Sequence, residues 1–137
     1  MAGGLLDRGT LTLRDRELVI DRTCFRCGSE YEWGVHVAFF ARAAGLAEAQ
    51  LEATVHGAAD DPAWTPRERL LVATCDALRQ GARIADGLYA ALADAFDAAQ
   101  ILEIVALVGQ YHMIAFVTNG AGVTLEPDAP RFPPARL

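Results

Sequence analysis

The spacing of apolar and polar residues along the chain follows a helical period almost throughout. Thr12 and Asp15 have the spacing of a capping box, and Leu13, Leu18, Val19 and Ile20 give partial helical periodicity until Gly28. This predicts a first helix over about 13–27. A second box, Ser29 with Glu32, opens a segment in which Val35, Phe39, Ala43 and Leu46 recur at three- to four-residue intervals, predicting a helix over about 30–44. A short helix over 47–56 stops at Gly57, and the turn-rich GAADDPAWTP separates the two halves. Pro66 suits the first turn of a helix that runs to about Gln80, before Gly81. Helices over about 85–96 and 98–118 complete the set, the last with Ile101, Ile104, Val105 and Val108 on one stripe. The expectation is an all-α fold of about six helices. GAGVTLEPDAPRFPPARL, with four prolines in its final eleven positions, is expected to be extended and held by contact with the surface or a neighbouring subunit.

A weak internal repeat accompanies this pattern. At an offset of 53 residues RDRELV at 14–19 lies over RERLLV at 67–72, and Gly28 falls on Gly81. Two similar helical hairpins packed together would produce it, and so would any two amphipathic arginine-rich helices. At the same offset Glu17 becomes Leu70, Glu32 becomes Ala85 and His36 becomes Tyr89. A real repeat would therefore have ionisable groups in its first copy alone.

Length and composition change this picture little. The 137 residues suit a single domain spanning 1–137, with a core over about 10–120 and a proline-rich tail over 121–137. A net charge of −6 with no basic stripe argues against nucleic acid as a partner. The most apolar segment, ILEIVALVGQYHMIAFV, contains Glu103, Gln110 and His112, and MAGGLLDRGT lacks an apolar signal core, so a cytoplasmic protein without a membrane span is expected.

Candidate chemistry is concentrated in CFRCGSEYEWGVH at 24–36. A reactive thiol needs a lowered pKa, which a helix N-terminus or nearby cations supply. Cys24 and Cys27 instead fall in the last turn of the first helix, where the dipole raises thiol pKa, although Arg22 and Arg26 oppose that effect. Redox use of the pair and simple packing both remain open. With no second C-x-x-C or H-x-x-x-H, no metal site is expected. His36 follows Glu32 by one turn on the same face, and the reversal at Gly28 and Ser29 brings Glu17 towards it. A buried carboxylate beside an imidazole makes an acid/base pair, or a satisfied core histidine. His56 reads as a surface residue; Trp33, Tyr111 and His112 are candidates for a pocket wall.

RDRELVIDRT, RCGSEYEWGVHV, ARAAGL and EIVALVGQYHMIA, in this order over about residues 10–120, resemble the carboxymuconolactone decarboxylase family, within the superfamily of alkylhydroperoxidase-D-like proteins. The resemblance implies an all-α helical bundle that assembles as a homotrimer or homohexamer. In the peroxidase-like branch two thiols stand seven and four residues before a histidine, with a glutamate some nineteen before it. Glu17 and His36 match the glutamate and histidine, while Ser29 and Glu32 occupy the thiol positions. The decarboxylase branch carries an E-x-E-x-x-x-H segment like Glu30, Glu32 and His36. The implied function is cofactor-independent acid/base chemistry, decarboxylation or proton transfer, on a small carboxylated or lactone-type molecule, with Glu17, Glu32 and His36 as the catalytic set. The alternatives are a thiol peroxidase using Cys24 and Cys27, and a non-catalytic oligomeric ligand-binding protein.

Overall fold

The computed structural model describes residues 9–135. It contains helices α1 (Leu13–Arg26), α2 (Glu30–Ala44), α3 (Glu48–His56), α4 (Pro66–Gly81), α5 (Asp86–Ala95) and α6 (Ala98–Gly120), with no strand among the described residues. Caps set the boundaries. Thr12, Ser29, Thr65 and Asp97 each accept a backbone N–H from the first turn of their helix, and Glu68 and Gln100 return the bond to Thr65 and Asp97. Ala47 has no oxygen to offer, so the Gln50 side chain satisfies its N–H.

α1 is the centre of the molecule, packing against α2, α3, α4 and α6. Nearly every residue from Glu17 to Cys24 is therefore buried whatever face it occupies, and the helix shows only partial periodicity. The turn into α2 is tight. Gly28 has φ +67°, its N–H donates to the Phe25 carbonyl, and the Ser29 N–H donates to the Cys24 carbonyl. This crossed pair of bonds closes a helix around a left-handed residue, where glycine avoids the Cβ clash. The reversal folds α2 back along α1.

The halves pair as the 53-residue repeat requires. Arg14 bonds Glu68 at 2.6 Å and Arg67 bonds Asp15 at 2.9 Å. Since Arg14 is equivalent to Arg67 and Asp15 to Glu68, each contact is the other's reflection about an approximate two-fold between α1 and α4. Arg22 crosses the same contact more deeply, with both Asp76 oxygens at 2.8 and 2.9 Å and the Thr54 and Gly57 carbonyls beyond.

Two further features complete the fold. On α2, the stripe of Phe39 and Ala43 faces outwards, Phe39 being 75% exposed, while Trp33, His36, Ala41 and Ala44 form the inner face. The tail, to the extent described, is anchored on its own subunit. Phe132 packs edge-on against Phe25 and Trp33, its N–H donates to Glu30, and His56 Nε2 lies 2.8 Å from the Pro133 carbonyl. Gly34 allows this: a Cβ there would collide with the Pro130 carbonyl. α6 is long and apolar enough to cross a membrane by length and composition, yet half of that stretch is buried inside the protein.

Candidate functional site

The reversal at Gly28 places the inner face of α2 against the middle of α1, with α6 closing the third side. Glu17 and His36 meet there. His36 Nδ1 lies 2.8 Å from Glu17 Oε2, and the two residues are 5% and 2% exposed. The other ring nitrogen, Nε2, lies 3.0 Å from the hydroxyl of buried Tyr111, whose ring packs edge-on at 5.1 Å. A carboxylate only accepts, so neutral His36 carries its proton on Nδ1 and presents the Nε2 lone pair to the tyrosine O–H. Glu32 Oε2 stands 3.9 Å from Nε2 at the rim, its side chain 17% exposed, and Phe40 covers the ring at 5.3 Å. The arrangement is a buried line of carboxylate, imidazole and phenol that can take up a proton at one end and hold it with charge balance.

Burial above all, with the Glu17 and Glu32 carboxylates behind it, raises the Tyr111 pKa, so its hydroxyl stays a proton donor. The thiols are pushed the same way. Cys24 is completely buried, and desolvation above all, with the Glu32 charge adding to it, holds its pKa well above the usual range. Cys27, half-buried at the α1 C-cap, is also raised by desolvation, with Arg79 and Arg26 acting against it. Ser29, in one of the two positions occupied by thiols in the peroxidase-like branch, is committed elsewhere: its hydroxyl caps α2 and pairs with Thr118 at 3.1 Å.

The remaining candidates lie apart. Trp33 donates its indole N–H to Thr54 and lines a cavity of about 350 Å³ between α3 and the tail. His112 bonds the Val108 carbonyl at 2.7 Å and lines a separate groove of about 200 Å³ with Leu78 and Ala82. Neither cavity reaches Glu17 or His36. Sequence reasoning missed Asp21, which is fully buried one turn after Glu17. The available signal was a second acidic residue four positions on, inside the apolar run LVIDRT.

Similar proteins share the architecture. The chain superposes on a protein of unknown function from Agrobacterium tumefaciens, proposed to be the antioxidant defence protein AhpD, with a TM-score of 0.83 and 20% identity over 93% of this chain and 86% of that one. An uncharacterised peroxidase-related protein from Silicibacter sp. TM1040 gives a TM-score of 0.81 and 17% identity over 96% of this chain and 70% of that one. No curated protein matches at a significant level. The sequence model of the carboxymuconolactone decarboxylase family matches residues 1–74. That match spans more than half of the 137 residues and includes α1, α2 and the Glu17 and His36 positions, so the chain belongs to the carboxymuconolactone decarboxylase family.

Proposed function

We propose that this protein is an acid/base enzyme that moves a proton on a small lactone-type molecule, decarboxylation being the reaction that best suits the site. The supporting observation is the buried line Glu17, His36, Tyr111, with contacts of 2.8 and 3.0 Å on opposite nitrogens of one imidazole. In this reading the carbon–carboxylate bond of the substrate breaks with loss of carbon dioxide. Before the bond breaks, Glu32 at the rim relays a proton from solvent to His36 Nε2, and Glu17 at Nδ1 balances the imidazolium so formed. The electron pair passes to the conjugated lactone carbonyl, the protonated Tyr111 hydroxyl offers a hydrogen bond to the enolate oxygen, and the enolate carbon takes the Nε2 proton, which returns His36 to its neutral form. The electrons rest on the substrate's own carbonyl, so the route calls for no cofactor.

The thiol peroxidase alternative is weakened by the raised pKa of both Cys24 and Cys27, because the thiolate is the attacking form. The proposal includes self-assembly as a homotrimer or homohexamer. Phe39 on α2 and Leu102, Met113, Phe116 and Val117 on α6 are exposed, more large apolar surface than a single chain usually leaves in water.

The test is His36→Asn, with carboxymuconolactone as the probe substrate. Turnover should fall by roughly 10²-fold or more with helical content unchanged, the usual range for losing a general acid or base. Unchanged turnover, or loss of stability alone, would favour the ligand-binding reading.

A further inference from the structure

Beside the relay lies a group that the proposed reaction does not use. Asp21 is completely buried, and neither carboxylate oxygen meets a hydrogen-bond donor. It follows Glu17 by one helical turn on the same face, near enough for the Glu17 charge to act on it. Its other ionisable neighbours complete the cluster. Cys24 on α1 and Tyr111 from α6 both lie near enough for a charge on Asp21 to act on them, and His36 and Glu32 from α2 stand beside Glu17 and Tyr111. From α3 comes Thr54, whose hydroxyl receives the Trp33 indole N–H. From α4 comes Cys75, turned to the Val19 carbonyl, while Glu68 and Asp76 are engaged by Arg14 and Arg22. Arg22, the cation next in sequence, directs its donors to Asp76, Thr54 and Gly57.

An ionised carboxylate in that position would lack water, a donor and a counterion while facing a second carboxylate. Burial first and the Glu17 charge second push the Asp21 carboxyl well above the ordinary aspartate range. We propose that Asp21 is the charge-setting partner of the Glu17–His36 pair: it keeps its proton in the folded protein, so that Glu17 and the rim carboxylate Glu32, and no third carboxylate, act on the imidazole. With only the buried Glu17 and the partly exposed Glu32 beside it, His36 can take a proton and return it; with a further buried charge, the imidazolium would be held and its proton withheld from the substrate. Asp21 touches no substrate in this scheme. It is a positioning residue that acts through Glu17 and His36. Its use rests on the acid/base reading, but its test does not.

The test is a carbon-13 NMR titration of the side-chain carboxyls in the intact wild-type protein, followed by the His36 ring titration in wild type and Asp21→Asn. Asp21 should remain in its protonated form at pH 6, where an ordinary aspartate with a pKa of about 4 is ionised. Asp21→Asn, which imitates the neutral acid, should leave the His36 pKa within about half a unit, because no charge has been removed. An Asp21 signal that titrates in the ordinary range would overturn the proposal. So would an Asp21→Asn variant whose His36 pKa falls by about one unit or more, the mark of a lost negative charge. Should the variant fail to fold, the wild-type titration alone decides. His36→Asn with full turnover would remove the acid/base reading and leave this result standing.

Discussion

The two halves of the molecule use one hairpin plan for different ends. α1 and α4 pair through reciprocal arginine–carboxylate contacts, so the scaffold tolerates either sequence at its centre. In the α1–α2 hairpin, positions 17, 21 and 36 are a glutamate, an aspartate and a histidine, all buried. Their equivalents 53 residues on are Leu70, Thr74 and Tyr89. Thr74 is satisfied by the Leu70 carbonyl at 2.7 Å, and Tyr89 is 49% exposed. The second hairpin builds its helices without a buried carboxyl at these positions, so the packing of such a hairpin does not itself require those of the first. Buried ionisable groups are costly unless paired. That buried Glu17 and His36 pair with each other in one hairpin, whereas buried Glu68 of the other is held by Arg14, is the physical ground for reading a site there.

The contact that joins the hairpins should give the largest response. Arg22 is buried, with two bonds to Asp76 and two to backbone carbonyls. Arg22→Ala leaves the two carbonyls without their guanidinium donors and Asp76 without its closest cation. A loss of about 3–5 kcal/mol in denaturant unfolding is expected, as for other broken buried pairs. Arg14→Ala, where the arginine is partly exposed and Glu68 keeps the Thr65 N–H, should cost less, about 1–3 kcal/mol. Equal losses at the two positions would mean that the reciprocal contacts do not differ with depth as argued.

A smaller effect separates the hairpins by pH. Because the folded pKa of Asp21 is raised, the native state keeps a proton that the unfolded chain has released once pH exceeds about 4. Stability attributable to Asp21 is therefore full below that pH and declines as pH rises towards the folded value, by up to about 1.4 kcal/mol per unit. Asp21→Asn should flatten that part of the stability curve measured by urea unfolding between pH 4 and 8. An unchanged slope would place the pH response elsewhere.

Sequence patterns made the helices legible because their ends are chemical. Thr12, Ser29 and Pro66 announce starts, Gly28 and Gly45 announce stops, and the observed bounds follow within a residue or two. The pairing of Glu17 with His36 was legible for the same reason, since Gly28 fixes how α2 returns along α1. Three features were not. Asp21 was hidden because α1 is buried on all sides, which removes the contrast that marks an unusual polar residue. The inner face of α2 was hidden because Val35, Phe39 and Ala43 form an apolar stripe of the same period on its less buried side. The anchoring of the tail depends on Phe132 meeting Phe25 and Trp33, a contact between segments more than a hundred residues apart that no local pattern encodes.

The smallest effect is expected at the thiols, where the two hairpins differ most conspicuously in sequence. Cys24 and Cys27 have Ala77 and Gln80 as their equivalents, so the second hairpin closes its turn without sulfur. Both thiols have raised pKa values, and Cys24 is completely buried, which leaves little thiolate at neutral pH and no open path to the more buried sulfur. The place of Cys24 beside Glu17 and Asp21, and of Cys27 near Arg79 and Arg26, then reflects packing at the end of α1 rather than a share in the chemistry. Cys24→Ala combined with Cys27→Gln installs the second hairpin's residues in the first. Decarboxylation of the probe lactone should stay within about threefold of wild type, a change of under 1 kcal/mol in the barrier. Peroxide consumption by the wild type that disappears in this double variant would reverse the assignment, making the sulfur pair the reactive centre and the Glu17–His36 line its support.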